Sequence, residues 1–90
     1  MTTLASVTNP NMTPVDTAIA AVLLARKKEI EISFATVELV SGIKEQQVMR
    51  YLNGHRPFYT SALVSLSNAL DIDAGKVIRD AMSRVENTDS

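Results

Sequence analysis

Between positions 44 and 56 the chain gathers side chains that make directional hydrogen bonds: Lys44, Glu45, Gln46, Gln47, Arg50, Asn53, His55 and Arg56. A glutamine can bond an adenine edge through both amide atoms, an arginine can bond guanine in the same way, and a glutamate can accept from cytosine. In a helix over 44–52, Glu45, Gln46, Met49 and Arg50 share one face, with Lys44 and Gln47 beside it. Val48, Tyr51 and Leu52 then form the opposite, apolar face. An ordinary solvated helix face uses the same residue types, and Arg50 could pair with Glu45 or Gln46 within the helix.

Catalytic chemistry is sparse elsewhere. The single histidine, His55, has no cysteine beside it and no metal-ligating companions, so it reads as a surface donor. No glycine loop of phosphate-cradling type occurs. Asp71-Ile72-Asp73-Ala74-Gly75 opens in the manner of a calcium loop, but Met82 stands near the place of the closing glutamate. That stretch reads as a turn with a helix cap. The expectation is a protein that is not an enzyme and uses no metal or other cofactor.

The elements that must position these side chains all read as helices. Thr13-Pro14-Val15-Asp16 combines a threonine cap, proline at the first helical position and an acid in the first turn. Val15, Ala18, Ile19, Val22 and Leu23 follow at helical spacing, to about Lys28 or a little beyond. Arg26, Lys27 and Lys28 then suit the negative end of that helix better than they suit a second binding patch. Ser33 caps a short second helix to Val40, with Phe34, Val37 and Val40 as its apolar positions, and Gly42 supplies the turn. Helix three ends at Asn53-Gly54. Tyr59 or Thr60 opens a fourth helix carrying Ala62, Leu63, Leu66, Ala69 and Leu70. Asp73 caps a fifth, carrying Val77, Ile78, Ala81, Met82 and Val85. Tyr51 belongs to the core, and Phe58 and Tyr59 to its edge.

Ninety residues with 46% hydrophobic content suffice for one domain. Residues 1–13 are expected to form a flexible leader, 14–86 the domain, and 87–90 a frayed end. Cysteine is absent, which excludes disulfides and thiolate metal sites. The first residues lack the basic-then-apolar pattern of a signal peptide, and no apolar run approaches membrane-spanning length. A soluble, cytoplasmic protein is expected. Net charge is −1, whereas nucleic-acid-binding domains are often strongly basic. Charge is uneven along the chain, however: residues 26–56 carry six basic and four acidic side chains, residues 57–90 three and five. The middle of the chain is the part suited to facing phosphate.

From Ile32 to Ile72, about 40 residues, the chain resembles the Xre/Cro/CI family of phage-repressor helix-turn-helix proteins. The resemblance rests on Ile32-Ser33, Gly42-Ile43, Val48, Tyr51, Asn53-Gly54, the basic loop His55-Arg56-Pro57, and Leu63…Leu66…Asn68-Ala69-Leu70-Asp71-Ile72, in that order. It implies an all-α, five-helix, lambda-repressor-like bundle whose third helix enters the major groove of double-stranded operator DNA. Glu45, Gln46 and Arg50 then fall at base-reading positions, and Lys44 and Gln47 between base and backbone. Ser33, Asn53, His55, Arg56 and the Tyr59 hydroxyl fall at phosphate positions.

A transcriptional regulator follows from the resemblance, a repressor or Cro-like protein acting as a homodimer in a bacterial cell or phage-infected host. Val77, Ile78, Ala81, Met82 and Val85 are the candidate dimer surface. The antitoxin of a toxin–antitoxin pair, or a helical protein–protein adaptor that no longer binds DNA, are the alternatives.

The chain departs from the family at three places. Phe34 replaces the customary glutamine that opens helix two, and Lys44 replaces the customary cap of helix three. Glu38 falls where a small residue should be, unless a one-residue slip brings Val37 there.

Overall fold

The computed structural model describes residues 12–89, and the expected leader falls almost wholly outside them. Five helices follow one another: α1 (Pro14–Ile30), α2 (Phe34–Ser41), α3 (Glu45–Leu52), α4 (Thr60–Ala69) and α5 (Ala74–Asp89). No strand occurs among the described residues. The backbone of α5 stays helical to Asp89, whereas the sequence predicts fraying from 87.

Helices α1, α2 and α5 begin where the side chain of the preceding residue satisfies a first-turn amide. At α1 the Thr13 hydroxyl accepts from the Asp16 amide at 3.2 Å, and the Asp16 carboxylate accepts from the Thr13 amide at 3.1 Å. Ser33 accepts from the Thr36 amide to start α2, and Asp73 accepts from the Lys76 amide to start α5.

Three helices end in left-handed turns of the same construction, and only one uses glycine. After α3, Gly54 has φ +79°, and the His55 amide donates back to the Arg50 carbonyl at 2.8 Å. After α1 the left-handed residue is Glu31 (φ 55°), and after α4 it is Asp71 (φ 54°). In both, the following isoleucine amide reaches back five residues, from Ile32 to Lys27 and from Ile72 to Ser67. Both isoleucines then pack against the core. Their burial offsets the roughly 1–2 kcal/mol that a left-handed non-glycine residue costs.

Arg26 joins these two ends. Its Nε donates to the Leu70 carbonyl and its Nη2 to the Asp71 carbonyl, both at 2.9 Å, while Nη1 meets Glu29. It thus satisfies terminal carbonyls of α4 from the last turns of α1. Lys27 lies over the Phe34 ring, 4.2 Å from its centre. Both contacts suit the structural reading of these cations over a second binding patch.

The core draws on every helix: Leu23, Val37, Val48, Leu52, Leu66, Leu70, Val77 and Ala81 are fully or almost fully buried. Helix α1 packs on α3 and α5, α2 on α3 and α4, and α4 on α5. Val37, not Glu38, enters the core.

Several apolar expectations need correction. Val40 is 61% exposed, on a short helix of which Val37 is the buried residue; Tyr59 is 64% exposed, standing before the first turn of α4. Of the five residues proposed for dimerisation, Val77 and Ala81 are fully buried, while Ile78 and Met82 lie on the outer face of α5. Residues spaced by four on a helix share a face, so one pair faces inward and the other outward.

Ser67 is fully buried, and among the described residues its hydroxyl meets no hydrogen-bond partner. We expect Ser67→Ala to stabilise the protein by about 1 kcal/mol, the desolvation penalty of an unpaired hydroxyl. Gly42→Ala should destabilise it by about 1–2 kcal/mol. Nothing lies within 4 Å of the added methyl, so that loss comes from the +79° φ alone. Urea midpoints at constant slope measure both.

Candidate functional site

Helix α3 has eight residues and no side-chain cap from its own Lys44. The missing cap arrives from the neighbouring helix: Glu38, on α2, accepts a hydrogen bond from the Glu45 amide at 3.0 Å. The residue that looks out of place for a close helix pair therefore sits at the positive end of α3, where a carboxylate is favoured. Between the two helices the Gly42 amide closes α2 on the Glu38 carbonyl at 2.8 Å, and the Ile43 amide meets the Ser41 hydroxyl at 3.0 Å. One glutamate thus serves both elements.

Burial of Val48, Tyr51 and Leu52 fixes the rotation of α3. Lys44, Glu45, Gln46, Met49 and Arg50 are exposed, and Gln47 is half-buried at the boundary. Among the described residues, the side chains of Lys44, Glu45, Gln46 and Arg50 enter no hydrogen bond or ion pair. The intrahelical pairing considered for Arg50 is therefore not formed.

The loop after α3 carries the remaining candidates. Asn53 and His55 are exposed, the latter with its amide tied to Arg50. Arg56 is half-buried and already engaged. Its guanidinium stacks on Tyr51, 4.7 Å from the ring centre, and donates through Nη1 to Gln47 Oε1. Tyr51 in turn packs on Phe58 with ring centres 5.0 Å apart. The Phe58 amide donates to Asp16 Oδ1 at 2.9 Å, which pins the loop to the start of α1. Tyr59 stands outside this stack. Its exposed ring borders a hollow of about 230 Å³ shared with Gln47, Arg56, Ser61 and Ser65.

Ser33 stands before the first turn of α2. Its hydroxyl is committed to Thr36, meeting both the amide and the Thr36 hydroxyl, the latter at 2.9 Å. Sequence reasoning missed the roles of Glu38, Asp16 and Arg26 as long-reach anchors. Only the weak Lys44 cap signalled that a substitute was needed.

Comparison with protein-family models, with curated proteins and with solved structures returns no match. No helix among the described residues is long and apolar enough to cross a membrane, and no cluster of His, Cys, Asp and Glu among them suits a metal ion.

We expect Glu38→Ala to reduce stability by about 1 kcal/mol, the usual effect of losing a helix cap. The Glu45 amide should lose hydrogen-exchange protection at the same time. Glu38→Gln retains an acceptor oxygen and should recover most of both.

Proposed function

We propose that this protein is a sequence-specific double-stranded DNA-binding regulator of the Xre/Cro/CI helix-turn-helix type, reading the major groove with α3. The observation that carries this reading is the presentation of Glu45, Gln46 and Arg50. They stand exposed, and unpaired among the described residues, on the outer face of a short helix whose other face is locked into the core. Groove readers need side chains held in register by a buried helix face yet free to reach base edges.

Lys44 and Asn53 flank that row at either end of α3. With Ser33, His55 and Tyr59 they form the proposed phosphate-contacting rim, which sets register while the central three set sequence choice. A Cro-like or repressor protein would bind as a homodimer, over half-sites about 34 Å apart. Ile78 and Met82, with half-buried Val85, are the dimer residues of this reading.

A second reading is a protein–protein adaptor or an antitoxin. Exposed Leu39 (82%) and Val40 (61%) on α2 favour it, since side chains of that size at that exposure suit burial against a partner.

Selection of duplexes from a random pool, followed by a salt titration on the best one, separates the two. DNA binding through phosphates weakens steeply as salt rises, and a selected near-palindrome would mark the dimer. We expect Arg50→Ala to remove roughly 1–3 kcal/mol of discrimination at one base position, with little change at the others. A uniform loss across all sequences would assign Arg50 to phosphate instead, and failure to enrich any duplex would remove the DNA reading.

A further inference from the structure

We propose that Arg56 is a positioning residue that fixes the Gln47 amide as a hydrogen-bond donor toward nucleic acid, and is not itself a phosphate contact. The inference rests on the DNA-binding reading above and deepens it at one position.

The guanidinium of Arg56 is held on two sides. It lies over the buried Tyr51 ring, and its Nη1 donates to Gln47 Oε1. The Tyr51 ring is itself held by Phe58, whose amide is anchored on Asp16. Arg56 is therefore built into the scaffold, where a phosphate-seeking side chain should be loose and exposed.

The consequence falls on Gln47. An amide side chain reads adenine by accepting through oxygen and donating through nitrogen at once. Here one lone pair of the oxygen is already taken by a cation, and an amide flip would aim N–H at a guanidinium that has only donors. The orientation is thus enforced chemically. Nε2 keeps both hydrogens, and among the described residues it donates to nothing. Gln47 lines the hollow beside α3 together with Tyr59, Ser61 and Ser65. The chemistry on offer is donation to an acceptor oxygen or nitrogen, supplied by a DNA phosphate or by an acceptor base edge. Bidentate adenine recognition at this position would have to share the Oε1 already bonded to Arg56.

The test is a double-mutant cycle on the full chain with Arg56→Ala, Gln47→Ala and the pair, measured on a duplex selected by the wild type. If Arg56 acts through Gln47, each single variant weakens binding about tenfold, the effect of one hydrogen bond, and the pair weakens it no further. Arg56→Lys keeps the charge but has no second nitrogen to lie over Tyr51 while another bonds Gln47, so it should behave as the alanine variant does, and the slope of log affinity against log salt should stay at the wild-type value. A direct phosphate contact gives the opposite pattern: losses that multiply, rescue by lysine, and a salt slope shallower by about 0.9 in Arg56→Ala.

A Gln47→Ala loss confined to one operator position identifies a base acceptor, and a uniform loss identifies phosphate. In the DNA-free protein, Arg56→Ala should also shift the Gln47 side-chain amide resonances while leaving the Val48 and Leu52 methyls in place. If that shift appears but no duplex is ever bound, the DNA reading has failed while the Arg56–Gln47 coupling stands. A wild type that binds, with unchanged Gln47 resonances in Arg56→Ala, defeats the coupling alone.

Discussion

An eight-residue helix does not hold itself together in water, and α3 is eight residues long. Its existence depends on tertiary support: burial of Val48, Tyr51 and Leu52 below, and the Glu38 carboxylate at its first amide. The same contacts that make the segment helical also set its rotation. No independent adjustment of the outward face is available, so whatever Glu45, Gln46 and Arg50 meet, they meet it from a fixed frame. The rest of the bundle serves that frame. Helix α2 contributes Val37 and Glu38 to it, α1 backs it, and α4 and α5 complete the core around Leu66, Leu70 and Val77.

Polar anchors cluster where the chain turns. Arg26 covers carbonyls at the end of α4, Asp16 reaches the loop before it, and Arg56 reaches back to α3. Each closes a connection that the hydrophobic core alone leaves loose. These bonds are at most partly buried, so each contributes modestly. Their value lies in direction: they decide where loops lie, whereas burial decides that the helices pack at all.

Helix boundaries were legible in the sequence because capping is local. Thr13, Ser33 and Asp73 signal starts and Gly42 and Gly54 signal stops through interactions within a few residues, and all act as expected. The left-handed turns at Glu31 and Asp71 carried no such signal. Neither residue type marks a helix end, and the compensation comes from the burial of the isoleucines that follow. Periodicity identified the core faces of α1, α3 and α4, but it overreached on α2 and α5. A run of apolar residues there exceeds what one face can bury, and spacing does not say which of them turn outward. The exposed row of α3 was legible from its polar spacing. The capture of Gln47 by Arg56 was not, because the two are nine residues apart and meet only after the loop folds back.

Asp16 carries two duties on one carboxylate: Oδ2 closes the entry to α1, and Oδ1 receives the Phe58 amide from 42 residues downstream. The opening turn of the first helix and the approach to the fourth therefore share a hinge pin. A chain shortened by trimming into Thr13 or Asp16 would lose more than a frayed tip. The slackening would travel through Phe58 to the aromatic stack beneath α3, so the true margin of the folded unit lies ahead of the first helical residue.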